Sequence, residues 1–275
     1  MLDTKIEVRP LTSVIGAEIH GVDLSQPMDD DTYSAVHDAL LEHLVIFFRD
    51  QNLTHDQHVA VGQRFGELHI HPSAPCVDNR PELMKIHADA TSPFAEGTAW
   101  HTDVSSDVEP PMGSILYLTT VPKTGGDTLF ASMYAAYDAL SDTMKTMLDP
   151  LTALHTTEVY IGRYEQVGGG LRREKFTDAE HPVIRTHPET GRKLIYVNEP
   201  FTKRIVGMSH AESEAILKFL YAHCANPQFQ CRFRWQPNSV AFWDNRCTQH
   251  HATWDYFPET RSGVRVTIKG DQPFH

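Results

Sequence analysis

The sequence predicts a mainly β protein, a β-sandwich or barrel with a few helices packed against its outside. Short apolar runs bounded by turn residues recur along the chain and indicate strands. Only a few segments have helical periodicity, and strands that outnumber helices favour a sheet-based core. The 275 residues contain neither an internal repeat nor a long Gly/Ser- or Pro-rich linker. We therefore expect a single domain over residues 1–275.

The first part of the chain predicts short strands followed by a helix. Alternating residues around Gly16 and Gly21 indicate strands and turns over 8–24. Helical spacing over 29–43, with acidic residues near the beginning, predicts a helix. The apolar run 44–48 predicts a buried strand.

Capping boxes predict two further helices. Thr54-x-x-Gln57 indicates a helix that extends to residue 65, and Ser209-x-x-Glu212 indicates one that extends to about residue 224. Strands are also predicted at 115–118, 128–131, 183–186, 194–197, 229–235, 239–243 and 265–268, and helices at 134–140 and 141–148.

Two stretches, 76–99 and 156–180, lack a regular pattern. The first contains Pro81, Pro93 and Gly97, and the second contains Gly168-Gly169-Gly170. Long irregular segments of a compact domain are commonly lids or binding loops, so we predict lid loops here. Plain surface loops are the alternative.

Composition and charge exclude several classes of protein. Hydrophobic residues make up 40% of the chain and charged residues 22%, the mix of a folded globular protein. The net charge of −12 argues against nucleic acid or an anionic membrane as a partner. The sequence has no long apolar run and no apolar N-terminal segment, so we expect neither a membrane span nor a secretory signal. Four cysteines without a C-x-x-C pair favour free thiols in a cytoplasmic protein.

The most informative motif is Trp100-His101-Thr102-Asp103. In an extended segment, residues two apart point to the same side, so His101 and Asp103 can face one point. His250, seven residues after Trp243, is the candidate third ligand. Two histidines and one carboxylate on one face of a metal are typical of non-haem Fe(II) oxygenases. A His-x-Asp string alone is more often a surface pair, and the adjacent His251 is the alternative third ligand.

Several strings together resemble the taurine dioxygenase (TauD/TfdA) family of Fe(II)/2-oxoglutarate-dependent oxygenases, over nearly the whole chain. These strings are His101-Thr102-Asp103, Gly125-Gly126-Asp127-Thr128, Trp243-Asp244-Asn245-Arg246 with His250, Arg261 with Arg265, 16–23, 64–68, 187–191 and Val197-Asn198-Glu199. The resemblance implies a mainly β fold with flanking helices, a double-stranded β-helix of the jelly-roll, cupin-like type. It also implies Fe(II), the co-substrates 2-oxoglutarate and O2, and a homo-oligomer, either a dimer or a tetramer.

The same resemblance assigns the metal and co-substrate sites. His101, Asp103 and His250 match the iron ligands, which are also the catalytic residues. Arg261 and Thr128 match the residues that bind the far carboxylate of 2-oxoglutarate. A guanidinium suits this task because it offers parallel N–H donors to a planar carboxylate. Without the metal triad, a solvated strand face would be the preferred interpretation of Arg261.

The substrate pocket departs from that of taurine dioxygenase itself. His71, Phe201 and Arg265 match substrate-binding residues, with Arg265 at the anionic head of the substrate. A structural histidine, a core aromatic residue and a surface arginine are the respective alternatives. A tyrosine and an asparagine of that pocket fall at Ala74 and Gly97. Small residues at these positions predict a larger anion than taurine, such as an alkyl sulfonate, a sulfate ester or an aryloxy or carboxylic acid.

The sequence therefore predicts a dioxygenase that hydroxylates a small anionic organic substrate. Hydroxylation beside a heteroatom would cleave the product to a carbonyl compound. The alternatives are a hydroxylase of a secondary metabolite that causes no cleavage, a metal- and ligand-binding β-sandwich sensor, and a zinc hydrolase. Arg261 and Thr128 favour the oxygenase over the last two.

Overall fold

The computed structural model describes residues 6–71, 74–158, 161 and 177–275, so most of the lid predicted at 156–180 lies outside the described residues. The helices are α1 (Asp30–His43), α2 (His55–Phe65), α3 (Met133–Asp138), α4 (Asp142–Leu148) and α5 (His210–Cys224). The strands are β1 (Glu7–Pro10), β2 (Ala17–His20), β3 (Val45–Phe48), β4 (Leu68–His69), β5 (Cys76–Val77), β6 (Arg80–Ala88), β7 (Gly113–Thr120), β8 (Thr128–Ser132), β9 (Thr152–His155), β10 (Ala179–Pro182), β11 (Ile184–Thr186), β12 (Lys193–Ile195), β13 (Thr202–Ile205), β14 (Gln230–Phe233), β15 (Ser239–Asp244), β16 (Thr248–Ala252) and β17 (Arg261–Ile268). No helix in these described ranges is long and apolar enough to cross a bilayer.

Two sheets face each other across the core. The larger has the order β1–β2–β3–β15–β7–β17–β6–β5, with β4 beside β17. Its pairs are antiparallel except β2 with β3. The smaller sheet has the order β14–β8–β16. The other described strands form the sheet β10–β9–β13 and the hairpin β11–β12.

Aromatic side chains fill the space between these two sheets. Phe47 of β3 stacks on Phe233 of β14 with ring centroids 3.8 Å apart, and Phe130 of β8 lies 5.7 Å from Trp243 of β15. Helices α1 and α2 cover the opposite face of the larger sheet, where Phe48 is buried. Strand β3 is thus covered on both faces, which is why its sequence is apolar throughout. The predicted sandwich with helices outside is confirmed.

The capping boxes that predicted α2 and α5 are present. The side chain of Thr54 accepts from the backbone N–H of Gln57, whose side chain accepts from the backbone N–H of Thr54. Ser209 and Glu212 make the same exchange at the beginning of α5. These bonds satisfy N–H groups that the first turn of a helix leaves without partners.

The prediction of an irregular stretch over 76–99 is wrong for its first half. Arg80–Ala88 forms β6, which pairs with β17, and Cys76–Val77 forms β5 at the edge of the sheet. Pro81 and several charged side chains interrupt the apolar pattern of β6, so the sequence alone does not predict a strand there. Proline is tolerated there because it lies next to the beginning of the strand.

His58 and His155 are buried in the fold as neutral side chains. His58 of α2 donates from Nε2 to the carbonyl oxygen of Ile115 at 3.0 Å, and Nδ1 of His155 in β9 lies 3.0 Å from the hydroxyl of Ser105. Burial lowers the pKa of His58 to about 4 and that of His155 to about 3. An unfolded histidine titrates near pH 6.5, so from there down to about pH 4 the unfolded chain binds more protons than the native protein. We therefore expect the free energy of unfolding to fall as the pH is lowered through this window. Each histidine contributes about 1.4 kcal/mol per pH unit at full slope.

Urea unfolding at a series of pH values between about 7 and 5 measures this slope. His58→Gln removes one titrating group and should flatten the dependence of the unfolding free energy on pH. His210→Gln, at an exposed position, is the matched control and should leave the slope unchanged. Equal slopes for the parent and His58→Gln would show that His58 does not contribute to acid sensitivity.

Candidate active site

A cavity of about 400 Å³ lies between the two sheets. Its wall is formed by β6, β7, β8, β16 and β17 and by residues 92–97, from the second half of the predicted lid 76–99. Every site residue predicted from the sequence lines this cavity, namely His71, His101, Asp103, Thr128, Phe201, His250, Arg261 and Arg265.

Three of these residues converge on one point. The metal-binding atoms of His101, Asp103 and His250 all lie within 4.8 Å of one another. His101 and His250 face each other across an antiparallel bridge, with N–O distances of 3.1 and 2.9 Å. The Nε2 atoms of these histidines lie 3.7 and 3.8 Å from Oδ1 of Asp103. The arrangement offers two imidazole nitrogens and one carboxylate oxygen to a metal.

The two histidines are in the form that binds metals. Nδ1 of His101 donates to the carbonyl oxygen of Ala99 at 2.8 Å, which leaves the lone pair on Nε2. Burial, together with neighbouring His101, holds the pKa of His250 well below its ordinary value. Neutral imidazoles and an ionised carboxylate are the ligands that a divalent transition metal requires, so the residues present fit Fe(II).

Hydrogen bonds hold Asp103 in an ionised state and a fixed position. Burial alone would raise its pKa, but Arg265 holds the pKa well below its ordinary value. Ser114 of β7 donates to Oδ2 of Asp103 at 3.1 Å. The side-chain amide of Asn245 accepts from the backbone N–H of Asp103 at 2.8 Å and donates to its carbonyl oxygen at 3.1 Å. Sequence analysis missed both supports, although Asn245 belongs to the string that ends at Arg246.

Arg265 reaches the cavity but is engaged with Asp103. Its Nη1 lies 2.9 and 3.0 Å from the two carboxylate oxygens, and its Nη2 lies 3.0 Å from Sδ of Met84. Its Nε has no hydrogen-bond partner among the described residues. A guanidinium carries five N–H groups, so Arg265 keeps donors beyond these contacts for the predicted contact with a substrate anion.

Arg261 is a buried cation whose acidic partner is missing from the described part of the chain. Its Nε donates to the carbonyl oxygen of Gly126 at 3.0 Å, and its Nη2 donates to the hydroxyl of Thr128 at 3.2 Å. No described carboxylate lies within salt-bridge distance of this guanidinium, which is 5% exposed. Burial lowers its pKa to about 10. A buried arginine that faces a cavity without an acid is the arrangement expected where a ligand supplies the carboxylate.

His71 and Gly97 lie on the cavity wall near the triad. Nδ1 of His71 accepts from the backbone N–H of Ala74 at 2.9 Å, which places the ring proton on Nε2. Burial and the positive charge of Arg265 lower the pKa of His71 to about 4. Gly97 has a φ of +76°, and a Cβ there would lie 3.3 Å from Cε1 of His101. A larger side chain at Gly97 would therefore press on His101.

His251 points away from the triad. Its ring lies 5.6 Å from that of Trp100, and it is not among the residues that line the cavity. Strand alternation accounts for this difference, since adjacent residues of β16 face opposite sides. The structure brings His250, and not His251, to Asp103.

A second group of residues with metal-ligand chemistry is a hydrogen-bonded network. Nε2 of His187 lies 3.0 Å from Oδ2 of Asp244, and Arg246 donates to both oxygens of that carboxylate at 2.6 and 2.9 Å. Burial and the charge of Asp244 raise the pKa of Cys247 well above its ordinary value, so its thiol keeps its proton. Because a metal binds the thiolate, this network is better suited to stabilising the turn before β16.

Comparisons with known proteins agree with this geometry. Residues 7–267 match the family described as "Taurine catabolism dioxygenase TauD, TfdA family". The chain is 36% identical to an alpha-ketoglutarate-dependent sulfate ester dioxygenase of Pseudomonas putida, over 98% of this chain and 91% of that protein. It is 35% identical to an alkylsulfatase of Acinetobacter baylyi, over 97% of this chain and 86% of that protein. A crystal structure of a taurine dioxygenase from Burkholderia xenovorans superposes with a TM-score of 0.84 at 40% identity, and covers 98% of this chain and 92% of that one. The predicted jelly-roll fold is confirmed.

Proposed function

The chain belongs to the TauD/TfdA family and is an Fe(II)- and 2-oxoglutarate-dependent dioxygenase, and we propose that it hydroxylates an alkyl sulfate ester or an alkyl sulfonate. The observation that carries this proposal is a second buried arginine, Arg265, in the same cavity as the triad and Arg261, and the names of the two relatives support the sulfate or sulfonate class. Family membership decides against the non-catalytic sensor and the zinc hydrolase.

His101, Asp103 and His250 would hold Fe(II) through two neutral imidazoles and one carboxylate. When bound, iron and 2-oxoglutarate together activate O2 and supply the oxidant that removes a substrate hydrogen atom, while 2-oxoglutarate becomes succinate and CO2. The protein's part is to fix the ligand atoms before the metal arrives. The backbone bridge between the two histidines and the amide of Asn245 perform this task.

Arg261 and Thr128 would bind the far carboxylate of 2-oxoglutarate. The guanidinium offers donors beyond those bound to Gly126 and Thr128, and the protein supplies no acid to compete for them within its described residues. In a buried site such a charge-assisted pair is stronger than it would be in water. This contact would orient the 2-oxo acid end of the molecule toward the triad.

The rest of the cavity would receive the substrate. The guanidinium of Arg265 and the imidazole of His71 line this cavity, and both are side chains suited to a sulfate or sulfonate head. Met84, Ile86 and Phe201 give the same cavity apolar wall area, which suits an alkyl chain. If the anionic head of the substrate binds Arg265 and its alkyl chain lies along this wall, the carbon atom next to the head would lie near the triad.

The proposed reaction of a sulfate ester begins with hydroxylation of the carbon that carries the ester oxygen. The hydroxylated product then loses its C–O bond to sulfate, with the hydroxyl proton leaving as the C=O bond forms. The products are an aldehyde and hydrogen sulfate, besides succinate and CO2. A sulfonate would release an aldehyde and hydrogen sulfite in the same way.

Succinate formation by the Fe(II)-loaded enzyme in air tests this proposal. We expect hexyl sulfate or hexanesulfonate to stimulate succinate formation strongly, taurine weakly, and hexanol, which lacks the anion, not at all. Because the wall is apolar, each further buried methylene should lower KM by up to about fourfold from ethyl to hexyl sulfate. Aldehyde and sulfate should appear in equal amounts.

Other outcomes of this assay are equally informative. Stimulation by taurine above all other compounds would contradict the prediction, made from Ala74 and Gly97, that the pocket takes a larger anion than taurine. Stimulation by phenoxyacetate would replace the sulfate class by aryloxy acids. A stable alcohol in place of an aldehyde would identify a hydroxylase that does not cleave its substrate.

Three further features belong to the proposal. A single catalytic domain is supported by the family match over residues 7–267. A lid role for the second half of 76–99 is supported by residues 92–97, which line the cavity. A homo-oligomer, a dimer or a tetramer, is expected from the family resemblance, and light scattering tests the oligomeric state. A cytoplasmic location is expected from four cysteines without a C-x-x-C pair.

A further inference from the structure

Trp235 contacts the co-substrate site without lining it. It lies just beyond β14, whose Phe233 is paired with Thr128 of β8. Its indole Nε1 donates to Oγ1 of Thr128 at 3.0 Å, and the guanidinium carbon of Arg261 lies 5.5 Å from the centre of its ring. Trp235 is buried and is not among the residues that line the cavity, so it can affect a ligand there through these two neighbours.

The hydrogen bonds at Thr128 determine where its own hydrogen points. A threonine hydroxyl has one hydrogen to donate and two lone pairs with which to accept. The N–H groups of Trp235 and Arg261 occupy both lone pairs of Thr128. Since Thr128 lines the cavity, the remaining O–H is left to donate to an acceptor there.

We propose that Trp235 is a positioning residue for 2-oxoglutarate, because its indole N–H turns the Thr128 hydroxyl toward the far carboxylate held by Arg261. This inference rests on the proposed placement of that carboxylate. Tryptophan's N–H is a donor only, so it cannot pair with the Thr128 hydrogen and leaves that hydrogen for the ligand. A residue without the N–H would free a lone pair of Thr128 and allow the hydroxyl to rotate.

Calorimetric titration of the Fe(II)-loaded enzyme with 2-oxoglutarate in the absence of O2 tests the inference. Thr128→Val should raise the Kd for 2-oxoglutarate about tenfold, the effect of losing a hydrogen bond to a charged group. Trp235→Phe should raise it by about three- to tenfold, because the hydroxyl remains but is no longer oriented. The double variant should bind no more weakly than Thr128→Val alone. In steady-state assays Trp235→Phe should raise KM for 2-oxoglutarate and leave KM for the sulfonate or sulfate substrate unchanged.

The outcomes separate the inference from its premise. An unchanged Kd in Thr128→Val would overturn the placement of the carboxylate and the inference with it. A raised Kd in Thr128→Val with an unchanged Kd in Trp235→Phe would overturn the inference alone. Additive losses in the double variant would also overturn it, because Trp235 would then act by a route other than Thr128. If Trp235→Phe does not fold, 3-benzothienylalanine at position 235 replaces only the N–H by sulfur, and the same criteria apply.

Discussion

His250→Ala will abolish Fe(II)-dependent succinate formation, whereas His251→Ala will retain it. His250 supplies one of three ligand atoms that lie within 4.8 Å of one another, and its loss leaves only two. Substitution of a residue that is only hydrogen-bonded to a metal ligand typically lowers metal affinity or activity by about 10–100-fold. Loss of a ligand itself should therefore leave less than about one hundredth of the parent rate of succinate formation. His251 lies next in sequence and packs beside Trp100, so it tests the same strand without touching the triad.

Two measurements distinguish loss of the metal from loss of the fold. Tightly bound iron should fall in His250→Ala and stay at the parent level in His251→Ala. Thermal unfolding without metal should show similar stability for the two variants, or a slightly more stable His250→Ala, since burial of a neutral His250 is unfavourable. Retained turnover in His250→Ala would remove this triad from the mechanism.

The residues that sequence analysis identified share a local or strongly constrained geometry. His101 and Asp103 are two apart in an extended segment, and this spacing alone places them on one side. Strand alternation also decides which of His250 and His251 can be the third ligand, but only when the segment that pairs with their strand is known. The structure supplies that strand through the backbone bridge between His101 and His250.

The residues that sequence analysis missed depend on long-range register. Ser114 reaches Asp103 because β7 lies in the middle of the larger sheet, and no local pattern marks that serine. Trp235 ends the segment 229–235 that the sequence predicts as a strand, and nothing local distinguishes it from an ordinary core residue. Arg265 lines the cavity, and its bond to Asp103 follows from the fold and not from its spacing to Arg261. Strand β6 was missed because its neighbours in the sheet, and not its own residues, determine that it is a strand.

Arg261→Met will raise the Kd for 2-oxoglutarate by about thirtyfold or more. Removal of one member of a buried charge pair typically costs about 2–5 kcal/mol, and thirtyfold corresponds to the lower end of this range. The methionine retains much of the apolar stem of the arginine side chain and removes the charge. Calorimetry on the Fe(II)-loaded enzyme without O2 measures the Kd. Arg192→Met, which removes an exposed arginine paired with Asp138, is the matched control and should bind as the parent does.

Arg261→Met should not lower the stability of the ligand-free protein, whereas the loss of an arginine that serves the fold would. Burial lowers the pKa of Arg261 to about 10, which means that the empty site holds its positive charge at a cost in free energy. Without 2-oxoglutarate, Arg261→Met should therefore unfold at an equal or higher urea concentration than the parent. With 2-oxoglutarate at saturating concentration, the parent should gain stability, because a ligand that binds only the native state adds RT ln(1 + [L]/Kd). The variant should gain little, and a loss of stability in the ligand-free variant would indicate that Arg261 serves the fold and not the co-substrate.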